Sequence, residues 1–297
     1  MAPILLSESR DERESSFDVL GALLVTSGLS ILVLGITKGH DWGWSSGQTI
    51  GVFAASAVLL AAFIAQESRA AHPLMPFSIF RLQTLTAANI VMFIMGTALF
   101  SMFLMLTLYM QHVLHFSPLK TGVGYLAVAG TAIIWANVAA AAVTRVGVKP
   151  TLVTGMSVMT VGLVLFSQVS VDGSYWRNLF PGFLVIGFGM PLAFVSLTIA
   201  ALAGTREHEA GLASGLINTS QQIGGAVGIA ILSTIATSTT SDAVSSGTPV
   251  PEALTHGFQN AFWAGAAITL VGVIVSVFLV RQSDFAAAPA LEPAEAT

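Results

Sequence analysis

The sequence predicts an all-α, polytopic membrane protein with eight transmembrane helices, and three observations carry that reading. Of the 297 residues, 54% are hydrophobic and only 9% are charged, against roughly a quarter charged in soluble domains. The apolar residues gather into eight stretches, each near the roughly 20 residues of helix that cross a hydrocarbon core of about 30 Å. The eleven lysines and arginines are shared unequally between the two sides that eight crossings define, as the positive-inside rule requires. The net charge of −4 arises in loops and tails, and no basic cluster points to nucleic acid. The absence of cysteine excludes disulfides and thiolate metal sites.

Taken in order, residues 1–17 carry no basic start, long apolar core or small-residue cleavage site, so they do not read as a signal peptide. They read as a cytoplasmic loop or the truncated end of a preceding span, with Pro3 to Leu6 suited to a last helical turn. Spans at 18–37 and 49–66 form a hairpin, joined by a segment in which Trp42 and Trp44 suit a bilayer interface and the glycines suit a turn. This central pair occupies 18–66. A polar, proline-bearing cytoplasmic connector follows at 67–83 and is the best internal boundary. Six further spans are expected at 84–110, 119–142, 150–170, 179–203, 211–237 and 260–280, making a six-helix unit over 84–280 before a cytoplasmic tail at 281–297. Two triplets of spans would be inverted relative to one another, the plan of many secondary transporters. The connector at 238–259, rich in Ser, Thr, Gly and Pro, reads as flexible loop.

One side of the membrane collects Arg10, Arg13, Arg69, Arg81, Arg145, Lys149, Arg206 and Arg281, and the other only Lys38, Lys120 and Arg177. Both termini are therefore expected in the cytoplasm and the chain in the inner (plasma) membrane.

The seventh span is the most polar. Gly211, Gly215, Asn218, Gln222 and Gly225 fall on one stripe at helical spacing, while Ile217, Ile223, Val227 and Ala230 turn elsewhere. Such a face either lines a solute path or packs closely on a neighbour that satisfies the amides. In the third span Asn89, Phe93, Gly96, Phe100 and Phe103 share a face, with Met92 and Met95 nearby. Aromatic, thioether and amide groups together suit an amphiphile, although ordinary packing uses the same residues. Trp135 and Asn137 in the fourth span and Gln168 at the end of the fifth carry the same two readings. Gly187, Gly189 and Pro191 in the sixth span permit a hinge or a static kink.

Every acid and histidine falls in a loop, a tail or a span edge. No span holds a proton carrier, which would have to titrate inside the bilayer, nor a nucleophile with a base or a metal-binding motif. His112 and His115 stand three apart beside Pro118 and read as a surface pair rather than a metal site. The chain is thus expected to be no enzyme and to use no cofactor or metal.

The run from Leu179 to Ile235, with ASGLINTSQQIGGAVG at its centre, resembles the last third of the 14-span drug:proton antiporters of the major facilitator superfamily, the EmrB/QacA type. SPLKTGVGYLAVAGT and FDVLGALLVTSGLSILVLGI resemble that group's S-P-L-x-A-G run and its central helix pair, so the likeness covers nearly the whole chain. Arg145, Gly147 and Lys149 match a degenerate copy of its G-x-L-a-D-R-x-G-r-k loop motif, with Ala140 in place of the glycine and Thr144 in place of the acid. The resemblance implies the last eight of 14 spans of an exporter that exchanges hydrophobic or amphiphilic small molecules for protons, the coupling acid belonging to six earlier spans. It also implies that the third, fourth, sixth and seventh spans line the cavity, with Asn89, Phe93, Asn137, Asn218 and Gln222 as substrate-path candidates. The alternatives are a non-transporting assembly or regulatory subunit, or half of a split transporter. An alternative cargo is a natural product such as an antibiotic or siderophore.

Overall fold

The computed structural model describes residues 18–69, 77–203, 205 and 209–280. Within them the chain is helical, and eight spans are long and apolar enough to cross a membrane. The helices are α1 (Val19–Trp42), α2 (Gly47–Glu67), α3 (Gln83–His112), α4 (Pro118–Gly124), α5 (Leu126–Val146), α6 (Val148–Phe166), α7 (Phe180–Leu202), α8 (Ala210–Ser245) and α9 (Val250–Leu279). A 3₁₀ turn at Phe77–Arg81 precedes α3 and a π-helical turn at Tyr175–Leu179 precedes α7. The expected segments 1–17 and 281–297, residues 70–76 of the 67–83 connector, and Arg206, Glu207 and His208 lie outside the described residues.

Local chemistry sets the helix ends. Asp18 caps α1 by accepting from the Gly21 N–H at 2.8 Å, and Ser46 caps α2 by accepting from Thr49. Gly43, at φ +85°, turns the hairpin between them. Ser56 then donates to the Gly28 carbonyl at 2.9 Å and ties α2 to α1. The fourth span is not one helix. It breaks at Tyr125 into α4 and α5, and the Tyr125 hydroxyl bolts the break onto α3 through Phe103 O and Thr107 Oγ1, each at 2.8 Å.

The 238–259 connector is the main correction to the sequence reading. Helix α8 continues to Ser245 and α9 begins at Val250, leaving a tight turn in which Gly247 takes φ +90°. The hydroxyls that made the stretch look loop-like bond back to their own helix. Thr237 reaches Ser233 O, Thr240 reaches Ala236 O, and Ser245 reaches Asp242 O, so each satisfies a carbonyl of its own helix, and Thr240 also lies 3.3 Å from Ala253 O of α9. Pro251 stands in the first turn of α9, where its missing N–H is harmless. Gly257 lets the two helices touch, since a Cβ there would strike Ala236 O and Thr240 Oγ1.

Helices α3, α5, α7 and α8 form one layer and α6 and α9 back it. Exchanging α3 with α7, α5 with α8 and α6 with α9 maps the packed pair α3/α8 onto α7/α5 and the pair α6/α7 onto α9/α3. The two triplets therefore pack as a pseudo-twofold repeat. The hairpin α1/α2 joins this unit where α1 meets α8. Between the layers lies a core of Met92, Met95, Met102, Met105, Met156 and Met159 with Tyr109, Phe166, Phe183 and Phe262. Unbranched thioethers fill the irregular gaps between crossing helices.

Candidate functional site

The glycines of α8 build the seam on which the site rests. A Cβ on Gly224 would collide with Phe93 O, one on Gly228 with Thr97 O, and one on Gly96 with Gln221 O. The two backbones therefore touch, the arrangement that small residues permit between membrane helices. Thr97 Oγ1 bridges them, lying 2.9 Å from Phe93 O and 3.0 Å from Gly224 O. Gly211 and Gly215, placed by spacing on the same stripe as Gly225, meet nothing within 4 Å. The stripe is thus divided, with Gly225 packed on the Phe100 ring and the amide-bearing part turned outward.

That division separates the amides into two kinds. Asn89 is buried, donating to Leu85 O at 2.8 Å and accepting from Ser220 Oγ at 2.7 Å. It fastens α3 to α8. Asn137 on α5 and Asn218 and Gln222 on α8 are exposed, and Gln221 is half-buried. Among the described residues, none hydrogen-bonds the side-chain amides of these four. At 1.5 Å of rise per residue, Asn218 and Gln222 lie about 12 and 18 Å from the start of α8, and Asn137 about 14 Å from the end of α5. Those two helix ends are on the same side, so the free amides share one level along the bundle, about 15 Å from those ends.

Phe93 is half-buried beside the seam, with its carbonyl under Gly224. Met92 and Met95 turn into the core and are fully buried. A cavity of about 240 Å³ opens between α7 and α8, where Phe194, Thr198, Ser214 and Ile217 stand with Asn218 and Gln221. The sequence reading missed Phe194 and Thr198; their one signal was a position one to two turns beyond Pro191. Gly187 packs on Val128 O and Thr131, and Gly189 on Gly155 O and Met159, while Pro191 is buried within a continuous α7. Close helix approach alone accounts for both glycines. In the loop-motif remnant, Gly147 is the whole connection between α5 and α6, at φ +104°, and Arg145 is exposed beside it while Lys149 is half-exposed in the first turn of α6. Thr151 seals that turn by donating to Gly147 O at 2.8 Å.

The free amides offer donors and acceptors of fixed geometry, and Phe194, 44% exposed, lines the same cavity as Asn218 and Gln221. Such a surface can bind and orient a partly polar, mostly apolar solute. No carboxylate lies in the middle of a described span: Glu67 ends α2, Asp242 is in the last turn of α8 and Glu252 in the first of α9.

Comparison with known proteins decides the family. Residues 15–229 match the sequence profile of the Major Facilitator Superfamily. The chain belongs to this superfamily of membrane transporters. It is similar to the tetracenomycin C resistance and export protein of Streptomyces glaucescens, at 32% identity over 80% of this chain and 44% of the relative. It also resembles the cephamycin export protein CmcT of Amycolatopsis lactamdurans, at 31% over 87% of this chain and 52% of the relative. A multidrug resistance protein B homolog of Mycobacterium tuberculosis is 29% identical over 97% of this chain and 52% of its own length. The chain spans about half the length of these curated relatives.

Proposed function

We propose that these eight spans form the carboxy-terminal, solute-binding half of a 14-span, proton-coupled exporter of amphiphilic, drug-like molecules. The observation that carries this reading is the set of uncommitted amides on α5 and α8 at one depth. Side chains that neither bond within the chain nor suit lipid are retained where water and solute reach them. A second six-helix unit facing α5 and α8 would close the cavity, and relatives about twice as long have room for one. Proton exchange would draw on an acid in that unit.

The cargo we infer is a natural product of antibiotic type, uncharged or weakly charged, held by the amides at its polar edge and by Phe93 and Phe194 along its apolar body. Support comes from relatives named for tetracenomycin C, cephamycin, puromycin and lincomycin. We place both termini in the cytoplasm of the plasma membrane, following the distribution of lysine and arginine.

The test is export from the protein's own host against a panel of such compounds. Deleting the gene should raise accumulation of at least one, and dissipating the proton gradient should reproduce the deletion. Unchanged accumulation of every compound would remove the export reading; export indifferent to the gradient would remove the coupling.

A further inference from the structure

A second cavity lies where α4 begins and the π-helical turn leads into α7, about 15 Å along α5 from the level of Asn137. Its volume is about 770 Å³, large enough for a drug-sized or lipid-sized guest. Phe116, Tyr175, Trp176 and Phe180 wall it, and Leu126 and Ala127 floor it. Tyr175 is fixed by donating to Gly124 O at 2.8 Å and by an edge contact with Trp176, whose own ring is 71% exposed. Among the described residues Lys120 is the one charged side chain in the lining, and its ammonium sits 3.7 Å above the Phe116 ring. Asp172, just before the π-helical turn, and Arg177, within it, are not part of the lining.

We propose that this cleft holds one anionic glycerophospholipid, its phosphate at Lys120 and the upper part of its acyl chains against the aromatic wall. Depth, polarity and charge each support that occupant. From Pro118 to Ala127 the cleft runs about 14 Å along the span, enough to cover the headgroup layer and the first carbons of the chains. An exposed tryptophan beside a half-buried tyrosine at a bundle end marks the level of the headgroups. A lining with one cation and no carboxylate selects an anionic headgroup over a zwitterionic one, since nothing there receives a choline or ethanolamine. The cation–π contact holds Lys120 at the rim without neutralising it. The cleft is separate from the proposed solute path, since Asn137 lies about 15 Å further along α5 than Ala127.

The full chain, reconstituted in phosphatidylcholine nanodiscs, is titrated with brominated phosphatidylglycerol or brominated phosphatidylcholine. Trp176 quenching is read as the difference from a Trp176→Phe variant. One lysine near the headgroups predicts half-quenching at about a fivefold lower mole fraction of the anionic lipid. Lys120→Gln should abolish that preference and Lys120→Arg should keep it. Raising salt from about 0.05 to about 0.5 M should also erase it in the unaltered protein, a check that needs no variant. Equal quenching by both lipids, or a preference that survives Lys120→Gln or high salt, would overturn the proposal.

Discussion

The amides show how much a single side chain's role depends on what it meets. Asn89 and Gln222 are both amides within a span, yet one is bonded at both ends and the other is bonded to nothing among the described residues. Asn89→Ala should therefore act through stability, by the roughly 0.6–1.7 kcal/mol seen for hydrogen bonds between membrane helices, and lower membrane abundance or melting temperature. Gln222→Ala should leave both unchanged and slow export several-fold per molecule, as transport assays normalised to protein level would record. Equal export at equal abundance would detach Gln222 from the solute path. Helical spacing could place these residues on faces but could not distinguish them, because the partner of Asn89 is Ser220, 131 residues away. Met92 and Met95 were ambiguous for the same reason: a thioether suits a binding pocket and a core equally until the neighbouring helices are known.

At the scale of elements, glycine decides how α3 and α8 meet. Gly224→Ala or Gly228→Ala forces a Cβ into the backbone of α3, an overpacking that costs about 1–3 kcal/mol, and should lower the melting temperature in detergent. Gly211→Ala and Gly215→Ala meet open space and should be neutral or slightly stabilising. Equal effects at all four would contradict the seam. The sequence held the glycines but not the division between packed and open ones, which depends on the crossing of two helices. The α8–α9 extension was misread because Ser and Thr content is only a correlate of loops. Their hydroxyls can satisfy helical carbonyls just as well, and only the Gly247 turn is left as a break. Amide hydrogen exchange should accordingly be slow at residues 238–244 and 254–259. Rapid exchange across the whole stretch would restore the loop.

For the whole molecule, eight spans, their order and the hairpin of α1 and α2 were legible from apolar run length, turn residues and charge distribution. Those signals are local or additive along the chain. The pseudo-twofold packing of the triplets and the large cleft beside Lys120 were not legible, since each arises between segments far apart in sequence. The cysteine-free chain makes the proposed orientation directly measurable. Ser246→Cys should react with an impermeant maleimide from outside intact cells, and Thr144→Cys only after permeabilisation; the reverse pattern would invert the topology.

The same labelling tests the central claim, that the exposed amides of α5 and α8 face a solute path rather than lipid. In native membranes a water-soluble maleimide should modify Asn137→Cys, Asn218→Cys and Gln222→Cys, and exported solute should slow that reaction. Val161→Cys, on an exposed apolar face of α6, should stay unmodified. If the three amide positions prove as inert as Val161, they face lipid or protein, and the cavity assigned to them does not exist.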